Sequence, residues 1–183
     1  MSELLEREKQ AYDRLTAVAT TTFYRPGNES DTHRAILAIN TIRKARDLGQ
    51  LIIVVDGGSP EEILRQFERY GARVIMQPKG TTMGYGRRQA IEAAYNTGRE
   101  IIVWTEPEKV PYIPEISKTA APILVGLADF VVPRRRSLES YPTAQQFAEP
   151  LGNLCWEQIT GKKLDVWFGP KTWRRDFSLS FRL

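Results

Sequence analysis

A chain of 183 residues has room for one well-buried core, since typical domains run to roughly 100–200 residues. Its 42% hydrophobic and 26% charged residues exclude disordered and collagen-like chains. The net charge of +4 is unevenly carried, with Arg134, Arg135 and Arg136 consecutive and Lys171, Arg174, Arg175 and Arg182 crowded together, yet a solvated basic face explains most of it and no nucleic-acid partner is expected.

Met1 to Arg14 reads as a polar N-terminal helix, too charged for a signal peptide, and residues 15–183 read as a single domain. No apolar run reaches the roughly 18 residues that spanning a bilayer needs, so a soluble, cytoplasmic protein is expected. Leu15 to Phe23, rich in Val, Thr and Ala, reads as the first strand. After the loop Tyr24 to Asn28, Ser30 or Asp31 is expected to cap a helix with Ala35, Ile39, Ile42 and Ala45 on its inner side and Gly49 just past its end.

Leu51 to Val55 is continuous, short and largely β-branched, as in a parallel strand covered on both faces. Ser59 with Glu62 predicts a capping box, with Pro60 in the first helical position. Arg73 to Met76 reads as a third strand. The loop Pro78 to Gly84 then leads into a helix that buries Ala90, Ile91, Ala94 and Tyr95, and Ile101 to Trp104 forms a fourth strand. Ala128 to Val132 predicts one more strand. A last helix is expected from about Pro150 to Thr160, with Phe147, Leu151, Leu154, Cys155 and Ile159 on one side.

Alternating strands and helices imply a doubly wound sheet, whose ligands bind beyond the carboxyl ends of the strands. That rule selects Thr21 to Arg25, Asp56 to Ser59 and Thr105 to Glu108. Asp56 follows a buried strand, so its carboxylate needs donors, supplied either by a base or ribose or by the turn at Gly57 and Gly58. Arg87 and Arg88 are placed in the first turn of their helix, where cations oppose the dipole and an anionic ligand would explain them. Glu106 and Glu108 flank one proline after the fourth strand. Their hard oxygens suit Mn2+ or Mg2+, and a solvated acidic turn is the plainer alternative. With one cysteine (Cys155) and one histidine (His33), any metal must rest on carboxylates.

The segments Ile52 to Ser59, Gly84 to Ala90, Glu106-Pro107-Glu108, Ala128 to Arg134 and Thr160 to Pro170 occur in an order that resembles the family 2 glycosyltransferases, and in particular their polyprenyl-phosphate mannosyl- and glucosyltransferase group. The resemblance implies a GT-A fold, a three-layer α/β/α sandwich with a mostly parallel central sheet. It implies an inverting, metal-dependent transfer from a UDP- or GDP-sugar to an acceptor hydroxyl that is hydrophilic or presented at a membrane surface. Thr22, Tyr24 and Asp56 would line the nucleoside pocket and Arg87 or Arg88 the diphosphate. Glu106 and Glu108 would replace the family's metal-binding aspartates, with Glu106 also facing the nucleotide, and Asp165 would act as the base on the acceptor side. Two replacements, Gly57 for the second aspartate of Asp-Asp-Gly-Ser and Glu-x-Glu for the metal motif, also fit a relative that binds nucleotide sugars without turnover. A nucleotidyltransferase is disfavoured, because the loop after strand one holds only Gly27.

Overall fold

A computed structural model describes residues 2–177. In chain order it contains α1 (Ser2–Arg14), β1 (Thr16–Thr22), α2 (Glu29–Asp47), β2 (Leu51–Asp56), α3 (Glu61–Arg69), β3 (Arg73–Met76), α4 (Met83–Tyr95) and β4 (Ile101–Trp104). A 3-10 turn (Val110–Glu115) then precedes α5 (Ile116–Leu124), β5 (Phe130–Val131), α6 (Thr143–Thr160) and β6 (Lys171–Arg174). The six strands form one sheet in the order β3-β2-β1-β4-β6-β5. The pairings β3-β2, β2-β1 and β1-β4 are parallel, while β6 lies antiparallel to both of its neighbours.

Side chains alternate across the strands as the two-residue period requires. Val18, Ile52, Val54, Ile101 and Val103 face α2, α3 and α5, and Ala17, Ala19, Ile53, Val55 and Ile102 face α4. Each fully buried Val or Ile contributes roughly 1.5–3 kcal/mol of burial, so this double-sided core anchors the strand ends that carry the site. The sheet is mostly parallel with helices on both sides, as in GT-A enzymes. The chain steps outward from β1 to β2 and β3, then returns to the other side of β1 with β4. That reversal places a crevice at the carboxyl ends of β1 and β4, where such sheets bind their ligands.

Several local expectations are corrected. Asn28, rather than Ser30 or Asp31, caps α2, with its side chain accepting from the Asp31 amide. The capping box at Ser59 and Glu62 does not form: α3 starts at Glu61 with no side-chain cap, because the Ser59 hydroxyl is engaged by Asp56 and by the Tyr24 amide. Thr82 caps α4, so Gly84 and Gly86 lie inside the helix and Arg87 and Arg88 fall in its second turn. The last strand, β6, had no counterpart among the predicted elements. The last helix begins at Thr143 rather than near Pro150, and none of its residues is buried.

α6 also packs the opposite way to an ordinary amphipathic helix. Glu149 and Asn153 turn inward onto Arg135 and Asp165, whereas Phe147, Leu151, Leu154 and Ile159 face outward. Ile159 is 84% exposed and Phe147 75%. No helix among the described residues is long and apolar enough to cross a membrane.

Candidate functional site

The crevice at the ends of β1 and β4 is a cavity of about 480 Å3. Thr22, Gly57 and Gln77 form one wall, and Trp104, Glu106 and Glu108 form another, with Arg34 and Arg87 reaching in. Of the residues given roles by the family resemblance, Thr22, Arg87, Glu106 and Glu108 line it. Asp56 and Tyr24 are buried behind its wall, and Arg88 and Asp165 lie outside it.

Asp56 shapes the crevice from beneath. Its carboxylate accepts from the Thr22 hydroxyl at 2.6 Å, the Gly58 amide at 2.8 Å, and the Ser59 amide and hydroxyl at 2.7 and 2.6 Å. A carboxylate has about four acceptor positions, so these protein donors satisfy it. Of the two readings left open by the sequence, the structure displays the turn-forming one. Gly58, at φ 118°, takes a conformation that side chains resist, and this lets both amides converge on Asp56.

Tyr24 stands with its ring against Phe67 and its hydroxyl 3.4 Å from Glu108 Oε1. Burial, followed by the adjacent Glu108 carboxylate, pushes the phenol well above its ordinary range, so it remains a proton donor. The same Glu108 oxygen lies 2.9 Å from Arg34, which comes from α2 and also holds Asp31 at 3.2 Å. Nothing in the sequence marks Arg34 beyond its position one helical turn after Asp31.

Glu106 has different surroundings. Its Oε2 is buried without a hydrogen-bond partner, the kind of orphaned acceptor that a cation or a ligand hydroxyl satisfies. Gly169 lies against its carboxylate so closely that a Cβ there would collide with it. Lys171, paired with Trp104 across the β4-β6 ladder, supplies positive charge nearby. Burial lowers the Lys171 ammonium, while Glu106 and Asp165 act to raise it. Glu106 thus fits a cation, whereas Glu108 is already paired with an arginine. Among the described residues, no three His, Cys, Asp or Glu side chains form a cluster able to hold a metal. Arg87 stacks its guanidinium 5.4 Å from the Trp104 ring and stays exposed at the mouth; Arg88 is exposed too.

The loop from Glu106 continues into a second cavity, of about 620 Å3, lined by Lys109, Arg134, Arg136 and Tyr141. These three cations form no ion pair among the described residues. Lys109 is half-buried and donates to the Tyr141 hydroxyl at 3.2 Å, with the Tyr141 and Phe168 rings 4.9 and 5.7 Å away. Arg135 between them is consumed: it binds Glu149, and reaches Asp165 through its backbone amide, Nε and a terminal nitrogen at 3.1, 2.9 and 2.7 Å.

Asp165, implied as a catalytic base by the family resemblance, therefore has another occupation. It accepts from Arg135 and, at 3.0 Å, from Asn153. Burial alone would raise its carboxyl, but the hydrogen bonds from Arg135 and Asn153 outweigh that and hold it at about 2. A carboxylate this weakly basic and this fully engaged is poorly matched to taking a proton from a hydroxyl near neutral pH.

No family model matches the sequence, and no curated protein matches it. Solved structures do. Glucosyl-3-phosphoglycerate synthase from Mycobacterium tuberculosis, in complex with Mn2+, UDP-glucose and phosphoglyceric acid, matches with a TM-score of 0.65 at 18% identity, over 92% of this chain and 60% of that one. The same enzyme with Mn2+, UDP and glucosyl-3-phosphoglycerate gives a TM-score of 0.64 at 16% identity, again over 92% and 60%. A structure described only as a mycobacterial protein matches at 0.66 and 17%, over 92% and 56%. The likeness shows the GT-A fold, and the chain spans roughly 60% of the length of the synthase structures it matches.

Proposed function

We propose that this chain is a metal-assisted glycosyltransferase of the GT-A type that binds a nucleoside-diphosphate sugar in the crevice between β1 and β4. The observation carrying this reading is the buried, unpartnered carboxylate oxygen of Glu106, a residue that follows β4 and lines the crevice of a GT-A sheet. One of the matched synthase structures holds UDP-glucose and the other UDP, so a UDP-sugar is the first donor to test and a GDP-sugar the second.

In this reading Thr22 and Gly57 border the nucleoside, with Asp56 holding the Thr22 hydroxyl and the Gly57 amide donating to the Thr22 carbonyl, and Arg34 and Arg87 face the diphosphate. Glu106, joined by Glu108 when Arg34 releases it, would hold Mn2+ or Mg2+, with donor phosphates completing the shell as magnesium sites usually require. The metal, when bound, supplies positive charge against the charge that grows on the leaving diphosphate. The acceptor hydroxyl oxygen would bond to the sugar carbon with inversion as the bond to the diphosphate breaks, and the hydroxyl proton would pass to water.

The second cavity suits an acceptor that carries a phosphate or carboxylate, because the half-buried Lys109 and the exposed Arg134 and Arg136, none of them ion-paired among the described residues, line it together. The matched synthase, which takes phosphoglyceric acid, supports the same acceptor class. Asp165 serves there by holding Arg135, and through it the arm that presents Arg134 and Arg136.

A thermal-shift series with UDP, GDP and their sugars tests the donor reading. UDP with Mn2+ should raise the melting temperature, with a stabilisation of about 2.7 kcal/mol at 100 times the dissociation constant, and EDTA or Glu106→Gln should remove most of the shift. No shift with any nucleotide in the presence of metal overturns the reading. Binding without sugar transfer or donor hydrolysis would favour a non-catalytic nucleotide-sugar-binding protein, a reading supported by the engagement of Asp165 and Glu108.

A further inference from the structure

Glu108 already has a cation. The Arg34 guanidinium sits 2.9 Å from Glu108 Oε1, and the same oxygen lies within 3.4 Å of the Tyr24 hydroxyl. One charged and one neutral donor group thus lie against that oxygen. The Glu108 side chain is only 18% exposed, while Arg34 is 47% exposed and lines the crevice. Arg34 is also the more exposed partner. Its guanidinium lies over the Tyr24 ring at 5.5 Å, and it has a second anchor, Asp31, which its other terminal nitrogen holds. Releasing Glu108 therefore does not leave the guanidinium unpaired.

These contacts set a divalent cation and Arg34 in competition for one carboxylate. A metal ligated by Glu108 would bring two positive charges to the place the guanidinium now fills, and like charges at that separation repel strongly in a cleft of low dielectric. A diphosphate in the crevice reverses the balance. Guanidinium groups bind phosphate through paired N–H donors, and Arg34 faces the space in which the donor's phosphates would lie.

We propose that Arg34 is a competitor for the metal-binding carboxylate Glu108, displaced by the diphosphate of the donor, so that nucleotide and divalent cation bind together and the metal alone binds weakly. This rests on the donor reading above for the identity of the diphosphate. The competition between Arg34 and the cation rests only on the contacts of Glu108.

The test uses Mn2+ itself, followed by the electron paramagnetic resonance signal of the free ion, with and without UDP. Arg34→Met keeps an unbranched apolar side chain and removes the guanidinium that lies over Tyr24. Without nucleotide, R34M should bind Mn2+ about fivefold more tightly than the unaltered chain, the upper factor expected for losing one competing ion pair. Glu108→Gln added to R34M should abolish that gain. In the unaltered chain UDP should tighten Mn2+ binding, and this coupling should shrink in R34M. Arg34→Lys, which keeps the charge without the fork, should fall between the two and guards against a loss of fold in R34M. Equal or weaker Mn2+ binding by both R34M and R34K, no Mn2+ binding by any variant, or an unchanged coupling to UDP overturns the proposal. If UDP fails to bind with or without metal, the donor reading fails. The Mn2+ titrations without nucleotide still decide whether Arg34 competes.

Discussion

Asp56 and Asp165 are two buried carboxylates with opposite kinds of partner. Asp56 is satisfied by neutral donors at the end of its own strand, and its replacement by Asn would leave at least one of those donors facing an amide nitrogen. Asp165 is satisfied by an arginine from the Pro133–Ser137 arm and an asparagine from α6. Because its folded pKa is depressed to about 2 from 3.8, its contribution is fully present above about pH 4 and is lost as pH falls toward 2. Chemical denaturation from pH 6 down to pH 2 should show this loss, and Asp165→Asn should remove that part of the acid sensitivity while costing about 3 kcal/mol at pH 6. A flat difference between the two proteins across that range would show that Asp165 is not held by Arg135.

The location of these groups was legible in the sequence more often than their partners were. Glu106, Pro107 and Glu108 follow a short β-branched strand, and the rule for parallel sheets places them at the crevice. Their partners Arg34, Gly169 and Lys171 come from distant segments, and no local pattern in the chain links them. Ser59 illustrates the same limit. Its spacing to Glu62 satisfies the capping rule, yet the hydroxyl does more for Asp56 and Tyr24 than it would for α3.

Elements were legible where burial is two-sided. β4, and β2 as far as its terminal Asp56, are apolar because both faces are covered, and that made them legible. β6, Lys-Thr-Trp-Arg, buries only Thr172 and Trp173 and owes its conformation to pairing with β4 and β5, so its own residues announce nothing. α6 is the sharper case, since its periodicity correctly predicts a helix but not which side packs inward. Its polar residues hold it through Arg135, Asp165 and the backbone amide of Val166, and its apolar stripe covers nothing among the described residues. Changing Ile159 to Lys or Leu151 to Gln should therefore alter stability by less than about 0.5 kcal/mol, whereas Asn153→Ala should cost about 2 kcal/mol. Urea denaturation of the three variants checks this, and a large loss from Ile159→Lys would show that the stripe is covered after all.

For the molecule as a whole, the charge distribution has a direction. Of a net +4, three unpaired cations line one cavity beside the crevice, and both cavities share the loop from Glu106 to Lys109. Phosphoglycerate used as a probe should bind in calorimetry with an affinity that falls as salt rises. Lys109→Gln should weaken it about tenfold while leaving UDP binding within twofold, since Lys109 does not line the crevice. Loss of both affinities together would argue for one continuous site.

The position of β6 has a consequence in time. It is the last strand of the sheet in sequence, yet it lies between β4 and β5, and β5 has no other strand partner among the described residues. As the chain leaves the ribosome, the parallel half of the sheet has all its strands once Trp104 has emerged, while β5 must wait for Lys171 to Arg174. Glu106 waits as well, because Gly169 and Lys171 belong to that same late segment. The crevice wall that carries Asp56 can thus be assembled while the acid opposite it still lacks its surroundings. Contacts this far apart in sequence carry the larger closure cost and form later.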